Sequence, residues 1–548
     1  MRNQQPGNTT YLFSFFLLFV CLPAISFAQI NEPKSTPVYD YLYRMAQKGL
    51  IEWPDWQSPL QRNQIQTALS QLALTADSLS TIEKAELNFY NQEYAFDSDT
   101  VSGEEQKTIL RNDAAGRFRA LSYKKDDKRL FIDPIVGGSL LFSGHQSHRQ
   151  YFSGVRLGAY FGKRWGVQFS FRDYMEKGDT LDRTRNFSTD EGIIPTINTG
   201  RSVNYSRLNF NLSYRWSNGT ISIGQENLSW GYGMGGNNIL SGRAPAYPFV
   251  KLDYQPWSWL HFSYFHGWLH SNIIDSAASY GTGTGIIDSR REVFRPKYIA
   301  QHSIVVTPTK GLQIGIGESM IYSDELNIGY LIPVSFFRIF DHQKSRYNIK
   351  ASDNSQFFGM VSSRNHLPKT HIYAQLFIDE IRLTKIFSQS ENRNQLGYTF
   401  GINRTDFLLH YLTLGIEYTR QRPFIYNNLI PTQTYASHDY ALGDWIGNNA
   451  DRLYAFAHYT PLPKLKIKAW LQKVRKGGAG TLDQQYFQSP QPPFLFDKQF
   501  DWQEAGASIT YEWLNKLLFS LQLNRTSTEY PGQTDNRSGV RFGFSYGL

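Results

Sequence analysis

Only one cysteine occurs in the 548 residues, Cys21, and it falls within the first 28. Once a leader of that length is removed, neither disulfides nor thiolate metal sites are available. Long apolar runs are also missing after the leader, and the mean hydropathy is −0.44, which argues against transmembrane helices. The 12 histidines form no HExxH pair or other metal spacing. No concentrated basic run marks a nucleic-acid surface, although the net charge is +9. No cofactor fingerprint is present; in particular, no strand-glycine loop-helix unit surrounds the glycine-rich stretch near Gly231.

What the chain does have is an export signal, helices at one end and alternation everywhere else. Arg2 precedes an apolar run from Tyr11 to Ile25, and Ser26-Phe27-Ala28 is a small-x-small cleavage site, so residues 1–28 read as a signal peptide. About 15 apolar residues is short for a spanning helix, which needs roughly 20. Residues 36–96 read as a periplasmic bundle of three helices. Val38, Leu42, Met45 and Ala46 recur at helical spacing up to Gly49. Ser58-Pro59 is expected to start a second helix carrying Ile65, Leu69 and Leu72, and Ser80 with Glu83 forms a capping box for a third. Residues 97–128 read as a linker with some local order.

From about Arg129 to Leu548 the period becomes 2. Leu208, Phe210, Leu212, Tyr214 and Trp216 alternate with polar neighbours, and Ser217-Asn218-Gly219 turns the chain into the next strand. Short turns of this kind alternate with long polar connections, near 175–203, 225–248, 270–297, 323–350, 425–450 and 475–498. Such sorting is the layout of an outer-membrane barrel, as is an aromatic content of 15%. The expected fold is mainly β, a transmembrane antiparallel β-barrel of about 18 strands with a small N-terminal α-helical bundle. The last strand places Val540, Phe542, Phe544, Tyr546 and Leu548 on one face, towards lipid. A chain ending on such a strand fits the signal read by barrel-assembly machinery.

Four stretches carry a family resemblance: Tyr41-Leu42-Tyr43-Arg44 to Ile51; Gly224-Gln225-Glu226-Asn227 through Trp230-Gly231-Tyr232-Gly233 to Arg243-Ala244-Pro245; Tyr373 to Glu380; and Leu414 to Arg420 with Arg422-Pro423-Phe424. In this order, behind a helical bundle, they resemble the capsule assembly Wzi family. The resemblance implies an 18-stranded, lectin-like outer-membrane barrel that holds or helps assemble surface polysaccharide without catalysis.

The chemistry-bearing candidates are few. Trp230 and Tyr232 offer faces for sugar C–H surfaces, and Asn237, Asn238 and Arg243 offer hydrogen bonds to hydroxyls or carboxylates. The same stretch also reads as a structural plug. Gln375, Asp379 and Glu417 fall on the polar parity of their strands and should face the lumen. There the carboxylates either serve acid–base chemistry or pair with arginines such as Arg207, Arg215 or Arg541. Two other function classes stay open: a porin or substrate-specific channel, which needs an open lumen, and a barrel-embedded hydrolase using a pair such as His302 and Ser303.

Overall fold

The computed structural model describes residues 29–97, 105–283, 289–347, 352–380 and 393–548. Residues 1–28, expected to be a signal peptide and containing Cys21, lie outside the described residues. Eighteen antiparallel strands, from Lys128–Ser143 to Gln533–Tyr546, close into a barrel. The last strand pairs with the first through Val540↔Phe142 to Tyr546↔Val136. Alternation decides which residues face outward. Phe542 and Phe544 stand about half exposed on the outer face, with small or polar Arg541, Gly543 and Ser545 between them. A charge on this face costs on the order of 2 kcal/mol near the membrane midplane. Phe544→Asp should therefore reduce the yield of heat-modifiable barrel. Normal assembly of that variant would show that the outward parity is wrong.

At one end the connections are short, as at 217–218, 310–311 and 515–516. At the other, most are long, including 179–201, 227–246, 422–449 and 477–499. Two connections at the long-loop end break the sorting: residues 144–145 and 531–532 are tight turns, both beside the seam where the barrel closes.

Three helices pack across the short-turn end: α1 (Val38–Gln47), α2 (Arg62–Leu74) and α3 (Thr81–Tyr94). Their apolar stripes meet in a core that includes Leu42, Met45, Ile65, Leu69, Leu72 and Leu87. Each such leucine or isoleucine contributes about 1.5–3 kcal/mol by burial. Gly49 ends the first helical stretch at φ +73°, and the Ser80–Glu83 box caps α3. Helix α2 starts later than its sequence suggests. Its capping box is Gln61 with Gln64, while Ser58 pairs instead with Ser229 inside the barrel. The residues expected as a linker contain a hairpin, Gln106–Asn112 with Phe118–Lys125, whose second strand pairs with the first barrel strand.

Polar contacts tie the helices to the wall. The Tyr43 hydroxyl lies 2.6 Å from His371 Nδ1, Gln47 bonds Asn403 and Thr405, and Lys466 pairs with Glu86. In the turn at Asp406, Lys48 and Lys369 sit 3.0 and 2.9 Å from the carboxylate. Burial pushes this carboxyl up, but the Tyr411 N–H and the two ammonium groups outweigh it and hold it at about 2. A depressed pKa stabilises the folded form above the ordinary aspartate value of about 3.9, and that contribution is lost as pH falls towards 2. Hydrogen exchange at the α1 end should stay slow down to about pH 4 and accelerate below it. In Asp406→Asn this acid step should shrink, and an unchanged step would assign it to other groups.

Candidate functional site

The lumen is filled from both ends. From the long-loop end, segments 227–246 and 422–449 fold inward. From the short-turn end, the chain around Trp56 rises to meet them: Gln57 and Ser58 pair with Trp230 and Ser229, and the Gly231 N–H donates to the Trp56 carbonyl at 2.7 Å. Gly231 is required at this join. Its φ is +129°, and a Cβ there would lie 2.2 Å from Gln375 Oε1.

All five residues expected to touch a glycan are buried here. The Trp230 ring is boxed edge-on by Trp56, Phe265 and Phe358, with centroids 5.6, 5.5 and 6.2 Å away. Tyr232 donates to Gln313 at 2.9 Å. Asn237 donates to Ser229 at 2.9 Å and accepts from the Gly233 N–H at 2.8 Å. Asn238 accepts from Thr399 and Gln421, both at 3.0 Å, and its carbonyl accepts from the Tyr426 hydroxyl at 2.9 Å. Arg243 reaches outward, donating to the Asn186 carbonyl at 3.0 Å with Tyr440 beneath its guanidinium. Packed in this way, Trp230 and Tyr232 offer no free ring face to a sugar. Of the two readings left open, the geometry is that of the plug.

Gln375, Asp379 and Glu417 all point into the lumen, but not as an acid–base pair. Asp379 accepts from the Tyr426 N–H at 2.7 Å and from Gln356 at 3.3 Å. Gln375 lies 3.4 Å from Asn237. Glu417 accepts from the Tyr373 hydroxyl at 2.6 Å and from the N–H groups of Met234 and Gly235 at 2.7 and 3.1 Å. Its arginine is none of those expected. Arg452 binds Glu417 at 3.0 Å and Asp444 at 2.9 Å, with all three side chains fully buried. Arg452 pairs in register with Thr419, two residues from Glu417 on the same face, which is the diagonal reach of neighbouring strands. Arg207 pairs with Glu191 of the long loop. The inward parity of Arg452, Tyr454 and Phe456 was the sequence signal for this partner.

His302 and Ser303 occupy opposite faces of one strand, so they cannot form a dyad. Beside the plug, a cavity of about 370 Å³ runs along the inner wall past Lys34, Arg156, Arg172, Arg207 and Glu226. Above the plug, the loops interlock: Phe187 meets Trp445, Phe500 and Trp502, and the Arg420 guanidinium lies 3.7 Å from the Phe494 ring centre. At the rim, Tyr280 pairs in a short hairpin with Arg291, which lies over its ring, and both are exposed.

The sequence profile of the family described as Capsule assembly protein Wzi matches residues 142–535. A search of curated protein sequences finds no match. Among solved structures, the chain resembles Wzi of Escherichia coli, described as an outer-membrane protein involved in group 1 capsule assembly and a carbohydrate-binding β-barrel. The TM-score is 0.60 at 13% identity, covering 95% of this chain and 99% of that one. Pseudomonas aeruginosa OprD gives a TM-score of 0.42 at 11% identity over 76% of this chain and 94% of its own. The profile match spans well over half of the sequence and the barrel has 18 strands: this chain belongs to the Wzi capsule assembly family and is an outer-membrane β-barrel.

Proposed function

We propose that this protein holds surface polysaccharide at its extracellular mouth and takes part in capsule assembly without catalysis. The observation that carries the reading is the hydrogen-bonded plug, which gives the mouth a floor in place of a passage. The rim above it presents aromatic rings beside guanidinium groups, as at Tyr280 and Arg291, chemistry suited to sugar C–H faces and to hydroxyls or carboxylates. Trp230, Tyr232, Asn237, Asn238 and Arg243 serve this surface from below, by fixing the floor on which the loops rest. The helical bundle faces the periplasm, the apolar outer face meets outer-membrane lipid, and barrel-assembly machinery inserts the chain by its last strand. The carbohydrate-binding description of the Escherichia coli relative supports the same reading.

The test is deletion of the gene followed by measurement of cell-bound and released capsule. Polymer shifting from the cells to the medium is the expected result. Unchanged retention together with slower uptake of small solutes would establish a channel instead, as would regular conductance steps from the purified protein in planar bilayers.

A further inference from the structure

One long loop does not fold inward. On the strand Leu312–Ser323, Ile321 packs against the plug, so the residues of opposite parity, Ile314, Ile316, Glu318, Met320 and Tyr322, face outward. Ile314 and Ile316 are exposed there, as lipid-facing residues should be, yet Glu318, Met320 and Tyr322 are buried. Their cover is the segment that follows, a 3-10 turn at Ile328–Leu331 and helix α4 (Phe337–Tyr347), lying on the outside of the barrel.

The attachment is specific. Glu318 accepts from the N–H groups of Phe337 and Arg338 at 3.0 and 2.7 Å, so a carboxyl on the barrel wall caps the N-terminus of α4. The Tyr264 hydroxyl donates to the Tyr330 carbonyl at 2.8 Å, His302 Nδ1 lies 3.0 Å from the Pro333 carbonyl, and Arg338 donates to Ser355 at 2.7 Å. At the rim, the two oxygens of Asp353 accept from Tyr330 of the outer segment and from Gln433 of the plug.

The level of this cover is fixed by the ladder. Tyr264, His302, Glu318, Phe357, Ile378 and Leu396 are successive partners across adjacent strands, forming one outward row. The segment lies over the polar part of that row. The apolar part, Ile378 and Leu396, continues at the same level as ordinary lipid-facing wall. Between residues 328 and 339 the segment's far side is mostly apolar and exposed, with Ile328, Ile332, Val334, Phe336 and Ile339, while the exposed polar groups gather at its two ends, Asp324 and Glu325 at one and His342 and Gln343 at the other. Much of its backbone is bonded, in turns at Tyr330, Ser335, Ile339 and Phe340, by the Asn327 side chain at Gly329, and by Glu318 and Tyr264 of the wall, the kind of pairing that non-barrel backbone needs in hydrocarbon.

We propose that residues 326–340 form an external flap seated among the acyl chains of the outer leaflet, with Glu318 as its latch and the polar ends of the segment at the headgroups. The flap extends the apolar band over a patch where the wall itself carries Glu318, His302 and Tyr264. Through Asp353 its position is tied to the plug.

The test uses full-length protein in a Cys21→Ala background, reconstituted in vesicles of phosphatidylethanolamine and phosphatidylglycerol. Single spin labels are placed at Ile328→Cys, Val334→Cys, the bare wall position Ile316→Cys and the extracellular loop position Ile197→Cys. The expected result is accessibility to oxygen over a nickel chelate at 328 and 334 that matches 316, with the reverse at 197. Nickel-dominated accessibility at 334 would place the flap in water above the membrane and overturn the proposal. Exclusion of both reagents would overturn it in favour of a second copy covering the face. Glu318→Leu is expected to sharpen the label spectrum at 334 and leave that at 316 unchanged. Glu318→Gln, which keeps an acceptor oxygen, should retain the immobilised spectrum. If Glu318→Leu does not assemble, Tyr330→Phe tests the same attachment at the rim, and an unaltered spectrum at 334 in the tested variant would sink the latch.

Discussion

Arg452→Met should loosen both arms of the plug at once. In the folded protein this guanidinium is the shared partner of Glu417 and Asp444, and none of the three is exposed. Removing it leaves two buried carboxylates uncompensated, a change that costs about 3–5 kcal/mol. Methionine fills much of the volume, so the effect belongs to charge more than to a cavity. The two carboxylates belong to different parts of the closure. Glu417 holds the backbone of Met234 and Gly235, while Asp444 sits within the second inward loop and accepts from the Ile446 N–H. Proteolysis within 227–246 and 422–449 should therefore become fast together, and conductance events should appear in bilayers where the parent is silent. Glu417→Gln combined with Arg452→Met should recover part of the loss, because it removes one orphaned charge. If Arg452→Met melts like the parent and keeps both loops protected, the closure does not depend on this triad.

The second large effect is expected at the other end. Arg62 is completely buried between Glu32, Glu93 and Asp97, at 2.6, 3.0 and 2.8 Å, with its guanidinium 4.5 Å from the Tyr94 ring centre. Glu32 in turn meets Arg156 of the barrel at 3.1 Å and pairs with Lys516. Burial pushes Glu32 up, but Arg156, Lys516 and Arg62 together hold it well below the usual carboxylate range. The cluster thus joins helices to wall through alternating charges. Arg62→Met should cost about 3–5 kcal/mol for the same reason as Arg452→Met. Here the loss should appear as fast hydrogen exchange across α2 and α3 while the barrel strands remain protected. Helices that stay protected in Arg62→Met would show that the apolar core alone seats the bundle.

These two arginines mark where sequence reading stops. The barrel was legible because a period of 2 is local: Val540, Phe542 and Phe544 declare their face without reference to anything distant. Strand number followed from the spacing of turns, and the α3 cap from two residues three apart. The plug was only half legible. Trp230, Tyr232, Asn237 and Asn238 stand out by type, but whether they face a sugar or one another is set by contacts such as Trp56 with Trp230, more than a hundred residues apart in the chain. Glu417 could be assigned to the lumen by parity, but its partner depends on which strand lies next to it. The flap was hidden by its position, since a stretch near 323–350 between two strands at the long-loop end reads as one more polar extracellular loop, although Leu326 to Phe340 is rich in apolar residues. The legible clue was a glutamate among Ile314, Ile316, Met320 and Tyr322, where lipid would otherwise be the neighbour.

The hairpin at 106–125 has a consequence for how the barrel finds its closure. The last strand pairs with the first only down to Tyr546↔Val136, and the hairpin resumes the same edge from Leu121↔Ile132 to Lys125↔Lys128. Pro134, with no N–H to give to either partner, stands at the break, and Gly547 abuts its carbonyl. The hairpin is made of neighbours in sequence and can form early, whereas the seam joins residues some four hundred apart. In the closed barrel it occupies the lower edge of the first strand, below the last strand's reach, and acts as a doorstop. A last strand sliding down by two residues would bring Leu548 to Ile132, an edge already taken, so the hairpin limits how far this seam can slip.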